Sequence, residues 1–314
     1  MRIRRFYQNN RTYEICLRAR EGLPFVPCKT INHILKSCLA KSIQNKAVKI
    51  DEYVWMPNHL HIILYVIDSY DFIGFYTELM KRITDAYKSL LGLEQLNLWE
   101  SRPMVAEILD IDKYIERKIY FHSNPSKANL VDKIENYPGL NTWDIFQKGQ
   151  IVREKIEWTK AKNINKIPLS LDNEQDLENL NLIKSKHSEI LELEICPNIG
   201  ALSFQDNNIT NDIIVREVKR FVKINEREYD KERARKGHNT IGSQKLTTQR
   251  LDKKHIPKPR EPRIYFMTGV RELAADYLSL YRSKLDQLKR YFNQKIEEFY
   301  EWPKGLFQPG LIRV

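Results

Sequence analysis

The stretch AVKIDEYVWMPNHLHIILYVI, residues 47–67, decides the fold. Its two halves, Ala47 to Met56 and His59 to Ile67, are rich in β-branched and aromatic residues. Pro57-Asn58 between them is a turn pair, so the reading is a β-hairpin. Upstream, Thr12 to Leu17 alternates as a strand. Apolar positions at Ile31, Ile34, Leu35, Cys38, Leu39 and Ile43 then predict a helix over Thr30 to Asn45, with Thr30 as its N-cap. Downstream, Phe72, Phe75, Leu79, Ile83, Tyr87 and Leu90 predict a helix over Asp71 to Leu91. Another covers Asp112 to Ser123 and stops at Asn124-Pro125, because proline disfavours helix at itself and at the preceding residue. The order β-α-β-β-α predicts an α+β domain, an antiparallel sheet with helices on one face.

The chain has 314 residues, 42% of them hydrophobic, with 52 Lys and Arg against 41 Asp and Glu for a net charge of +11. That composition excludes a disordered tail or a fibre and allows one large or two modest domains. The longest apolar run, Ile62 to Ile67, is six residues, against the roughly 20 needed to span a bilayer, so no membrane partner is expected. Met1-Arg-Ile-Arg-Arg has no apolar core behind it, unlike a secretory signal, and the expected location is the cytoplasm. The four cysteines, 16, 28, 38 and 196, lack metal-site spacing and read as buried reduced thiols.

Charge is uneven. Arg216 to Arg263 holds sixteen Lys and Arg against seven acids, whereas Leu169 to Glu194 holds seven acids against Lys184 and Lys186. Three regions follow: a first domain over 1–160, the candidate for any catalytic chemistry by the motifs described next, an acidic insert or linker over 161–212, and a mainly helical basic region over 213–314. In the last, helices are predicted over Ile213 to Lys236 and Gly269 to Trp302, with a loop or irregular basic arm from Gly237 to Pro262. Surplus positive charge there points to a polyanionic partner.

Chemistry concentrates in two motifs. On a strand, His59 and His61 project from one face while Leu60 and Ile62 enter the core from the other, which is how a strand offers two imidazoles to one metal. Two hydrogen-bonded histidines would look the same. In Tyr120-Phe-His-Ser-Asn124-Pro, Tyr120 and Asn124 share a helix face and present a phenol beside an amide, although Asn124 could equally just end the helix before Pro125. His122 falls about 200° around the helix from Tyr120 and is expected to point elsewhere. Glu116 could touch a metal or activate Tyr120 but reads as a solvated helix glutamate, and Lys118 and Lys127 read as general phosphate contacts or solvent-facing charge.

Together, Pro57-Asn-His-Leu-His-Ile-Ile-Leu64, Leu98-Trp-Glu-Ser-Arg-Pro103 and Tyr120-Phe-His-Ser-Asn-Pro-Ser-Lys-Ala-Asn-Leu-Val131 resemble the single-tyrosine HUH transposases, especially the REP-associated and related insertion-sequence branch. The resemblance covers about residues 1 to 150, then thins to the basic segment and the closing Phe307 to Arg313. It departs from the family's common glycine at Asn129, a residue that also tolerates a left-handed turn. The resemblance implies a ferredoxin-like HUH nuclease domain and a prokaryotic, nucleoid-associated enzyme. Tyr120 would be the nucleophile, and His59, His61 and Asn124 would hold Mg²⁺ or Mn²⁺. Single-stranded or hairpin DNA would be nicked and rejoined through a 5′-phosphotyrosine. The residue types suit this: a phenol with a pKa near 10 needs a base or a cation to attack at neutral pH, and two imidazoles with one amide oxygen leave positions open for phosphate and water.

Lys245, Arg250, Lys253, Lys254, Lys258, Arg260 and Arg263 lie in the proline-containing part of the basic segment and are expected to contact DNA phosphates. Monomer and homodimer both stay open. So do two other functions, a non-catalytic DNA-binding regulator retaining the fold and an RNA-processing metal nuclease, which would not require Tyr120.

Overall fold

The structure is a computed structural model that describes residues 6–20, 25–100, 103–204, 209–253 and 264–301, with side chains in the last helix described up to Gln294. Lys254, Lys258, Arg260, Arg263 and the closing Phe307 to Arg313 lie outside the described residues. The chain divides into two compact units, Gln8–Gly269 and a smaller one comprising Met1–Tyr7 with Val270–Val314.

The larger unit opens with β1 (Arg11–Arg18), α1 (Lys29–Ile43), β2 (Val48–Met56), β3 (His59–Val66), α2 (Ser69–Leu91) and β4 (Met104–Ile108). The predicted hairpin forms, with Met56 opposite His59 and Val54 opposite His61. Strand β1 pairs antiparallel with both β3 and β4, giving the inner order β2-β3-β1-β4, a split β-α-β arrangement. The chain continues through α3 (Ile111–Lys127), α4 (Trp143–Lys148), β5 (Val152–Trp158), α5 (Asn173–Ser185), β6 (Glu189–Ile195), α6 (Asn211–Lys236), α7 (Ser243–Thr247) and β7 (Phe266–Met267). Among the described residues the sheet has seven strands in the order β5-β6-β2-β3-β1-β4-β7. It is mixed rather than wholly antiparallel as expected, because β6 joins β2 and β7 joins β4 in parallel.

The fold is therefore α+β, with α1 and α2 packed together along one face. Tyr13 stacks on Phe72 of α2 at 5.2 Å between centroids, and Phe25 meets Trp55 and Tyr87 edge-on. Side chains of the other parity, Val54, Met56 and Ile63, share a core with Tyr114 and Phe121 of α3 and with Ile214, Val218 and Val222 of α6.

Residues 161–212, expected to be an acidic insert or linker, supply α5 and β6 and so belong to the packed unit. Their acids meet bases of the first half: Glu189 pairs with Lys41 at 2.5 Å and Glu194 with Lys49 at 2.6 Å. Asp176 of α5 accepts the backbone N–H groups of Lys29 and Thr30 at 2.8 and 2.9 Å. This corrects the expected cap of α1. Thr30 is already helical, the N-cap position falls on Cys28 without a side-chain bond, and the distant carboxylate satisfies the orphan donors instead.

Helix α3 also runs beyond its predicted stop, with Pro125 inside it. In the last turn a proline costs one hydrogen bond rather than breaking a long ladder. The turn closes with the Ala128 N–H on the Asn124 carbonyl at 2.9 Å and the Leu130 N–H on the Pro125 carbonyl at 3.0 Å. Asn129 then adopts φ +56°, the left-handed turn anticipated for it.

Helix α6 packs its apolar stripe on α3, while its outer acids and bases pair at helical spacing, as in Glu228–Lys231 and Glu232–Lys236. Glu226 turns inward and accepts the Ile134 N–H at 2.8 Å. Burial raises its carboxyl to about 7, helped by nearby Glu135. A carboxyl whose folded-state pKa lies above its unfolded one destabilises the fold above the folded value, and the penalty fades as pH falls toward the unfolded value. Glu226→Gln keeps the acceptor without the charge. It is expected to raise stability at pH 8 by on the order of 1–2 kcal/mol and to make no difference at pH 4.5, as read from urea midpoints at both pH values.

In the smaller unit, α8 (Arg271–Glu301) carries the predicted apolar stripe. The Phe6 ring packs edge-on against Tyr281 at 5.6 Å.

Candidate active site

Glu14, His61 and Arg117 meet between β1, β3 and α3. His61 faces Cys16 across the β1–β3 ladder and His59 faces Arg18. The two imidazoles stand edge to face with centroids 4.8 Å apart. Tyr120 of α3 lies edge-on to His61 at 5.5 Å. Strand parity and helix phase thus bring His59, His61 and Tyr120 together. Asn124 is linked to them by its place one turn beyond Tyr120 on the same helix. It is buried, and its amide nitrogen has no hydrogen-bond partner among the described residues. Because α3 continues past it, Asn124 is not a helix-ending residue.

Both histidines are tied at Nδ1. Asn58 Oδ1 lies 2.6 Å from His59 Nδ1, and Glu14 Oε1 lies 2.9 Å from His61 Nδ1. An oxygen acceptor at Nδ1 leaves Nε2 as the available electron pair when the ring is neutral. His61 Nε2 is buried with no partner among the described residues. A buried polar atom without a partner is costly unless something fills its place, and an imidazole Nε2 backed by a carboxylate at Nδ1 is the usual arrangement of a metal-ligating histidine. His61 Nε2, with the His59 ring beside it, thus suits a donor to a divalent cation. No group of three or more His, Cys, Asp or Glu side chains gathers around a metal position among the described residues.

The electrostatics separate the two rings. Burial works to lower His61, but the adjacent Cys16 sulfur and the Glu14 carboxylate outweigh it and raise the imidazole to about 9. His59 is driven well below its ordinary value by burial, then by the charge on His61 and by Arg18. Tyr120 is raised by burial despite the Arg117 charge, although the guanidinium lies 4.2 Å over its ring and the Lys127 ammonium 5.3 Å from it. The phenol is not ionised by its protein surroundings alone.

The opposite side of α3 differs from expectation. Lys118, expected at the surface, is fully buried, with its Nζ 2.6 Å from both Asp51 Oδ1 and Glu52 Oε1. Adjacent strand residues normally face opposite ways. A register shift between Ile50 and Glu52 turns both acids toward α3, as a β-bulge does. His122 points away from Tyr120 as its helix phase predicts, bonding Glu52 Oε2 at 2.9 Å and lying against Trp143 at 4.7 Å. Asp51 also accepts the backbone N–H of Asn198 at 3.0 Å and of Gly200 at 2.8 Å. The close approach needs glycine, since a Cβ at position 200 would lie 2.8 Å from Asp51 Oδ2 and from the Tyr114 ring. Glu116 is exposed and paired with Lys113, as a solvated helix glutamate should be.

Of the expected DNA contacts, Lys245, Arg250 and Lys253 are described and exposed. Arg250 forms a two-pronged bond with Asp252, 2.8 Å on each arm. Their segment is anchored rather than free. Backbone N–H groups of Ile241 and Gly242 bond the Asn129 and Leu130 carbonyls at 2.9 Å, directly after α3, and Leu246 is buried in the α3–α6 core.

Sequence reasoning missed Glu14 and Arg117. The available signal was a lone acid within the apolar strand TYEICL, a residue that needs a buried partner.

Comparison with known proteins finds no matching family model and no matching curated protein. Among solved structures, a REP-associated tyrosine transposase bound to a REP hairpin matches with a TM-score of 0.40 and 23% identity, over 46% of this chain and 84% of that one. No helix among the described residues is long and apolar enough to cross a membrane.

Proposed function

We propose that this chain is a metal-dependent single-stranded DNA nicking and strand-transfer enzyme of the HUH type, built on a ferredoxin-like core, with Tyr120 as nucleophile. The observation that carries the reading is the Tyr120 ring 5.5 Å from His61, whose Nδ1 is held by Glu14 and whose Nε2 has no partner among the described residues. His59, His61 and Asn124 would hold Mg²⁺ or Mn²⁺. When bound, the ion supplies Lewis-acid polarisation of the scissile phosphate and offsets charge on its oxygens. Tyr120 Oη forms the bond to phosphorus as the bond to the 3′-oxygen breaks, leaving a 5′-phosphotyrosine and a 3′-hydroxyl. Attack by another 3′-hydroxyl reverses the step and joins strands. Lys127 flanks Tyr120, 5.3 Å from its ring, and favours a phosphate there by charge. The basic segment, including Lys245, Lys253, Lys254, Lys258, Arg260 and Arg263, would follow the backbone beyond the nick.

The test is incubation of the full chain with Mn²⁺ and end-labelled single-stranded DNA carrying short hairpins, followed by a denaturing gel. A covalent protein–DNA adduct is expected. His59→Ala and His61→Ala should each reduce its formation by about 10²-fold or more while thermal unfolding stays cooperative. Cleavage of RNA without an adduct, or DNA binding with no cleavage, would replace this reading.

A further inference from the structure

We propose that Glu14 and Arg117 form a single positioning pair that orients His61 and Tyr120 relative to one another, an inference that rests on reading His61 as a metal ligand. Glu14 is fully buried at the centre of β1, where an isolated carboxylate would be strongly disfavoured. Arg117 meets it with two prongs, Nε to Oε2 at 2.6 Å and Nη2 to Oε1 at 2.8 Å. That geometry is specific to guanidinium and carboxylate. Held in place by Arg117, Glu14 Oε1 accepts the His61 Nδ1–H, 2.9 Å away. The ring is then fixed with its buried Nε2 on the side away from Glu14, a bare electron pair whenever the ring is neutral.

The same guanidinium lies 4.2 Å over the Tyr120 ring. Arg117 therefore touches both halves of the proposed chemistry, the ligand through Glu14 and the nucleophile directly. Glu14 and Arg117 both act through the residues they hold.

Two measurements on the full-length chain test this. The first is ¹⁵N NMR of histidine rings in the metal-free wild type, at a pH where His61 is neutral. The Nδ1–H tautomer is expected at His61, and the Nε2–H tautomer would overturn the proposal without any variant having to fold. The second is Mn²⁺ binding by calorimetry. Glu14→Gln is expected to weaken the dissociation constant about 10- to 100-fold. Arg117→Lys, which keeps the charge but loses the two-pronged grip, should weaken it several-fold. Unchanged Mn²⁺ affinity in folded Glu14→Gln protein would overturn the proposal. His61→Ala separates the two levels. If it binds Mn²⁺ as tightly as the wild type, the metal reading itself falls, while the tautomer still reports whether Glu14 orients the ring.

Discussion

Tyr120→Phe is expected to abolish the covalent protein–DNA adduct, by at least about a hundredfold on a denaturing gel, because no other group can take over a phosphotyrosine bond at that position. The change should be nearly silent structurally. Phenylalanine keeps the ring that Arg117 covers at 4.2 Å and that stands edge-on to His61, and removing one hydroxyl from a half-buried ring should shift stability by less than about 1 kcal/mol. An adduct that survives would remove Tyr120 as nucleophile. Since burial raises the Tyr120 phenol rather than lowering it, the wild-type adduct should also vanish when EDTA withdraws divalent ions.

The second large effect lies behind the same helix. Lys118→Met is expected to destabilise the fold by about 3–5 kcal/mol, measured by urea unfolding. It leaves Asp51 and Glu52 without the ammonium that reaches both at 2.6 Å. Burial pushes Asp51 up, with Glu52 adding to the rise, whereas Glu52 is held low by Lys118 and His122 against the effect of burial. Removing the lysine therefore strands at least one buried negative charge. Adding Asp51→Asn and Glu52→Gln to Lys118→Met should recover much of the loss, because the penalty belongs to the unpaired charge rather than to the missing contact. A loss below about 1 kcal/mol for Lys118→Met alone would show that water or rearrangement relieves the charge.

The hairpin over residues 47–67 was legible because its pattern is local: turn chemistry at Pro57-Asn58 and alternation on either side. That His59 and His61 share a face followed from strand parity, and that Tyr120 and Asn124 share one from helix phase, but that the two pairs belong to one site was only what the family resemblance implied. Glu14–Arg117 was not legible, since the partners lie 103 positions apart. Lys118 misled for a different reason. Its helix phase does not distinguish surface from interior, and the two acids that bury it face the same way only because of an irregularity in β2 that leaves no mark in the sequence. The acidic stretch could be read as a packed insert or as a linker, because composition reports charge but not the lysines that answer it. Pro125 misled because the penalty for proline depends on how many helical bonds remain to be lost.

The placement of Asp176 and β6 limits how far this protein can be minimised. A shortened variant that joined β5 directly to α6 would retain every residue assigned to the chemistry. It would also strip the cap from α1 and uncover the edge of β2, the strand whose acids anchor α3 from behind. An unprotected strand edge recruits other chains, so the trimmed protein should form aggregates before it loses any active-site side chain. Engineering for size is better directed at surface positions of α5, such as exposed Leu177 and Leu182, leaving the strand and Asp176 in place.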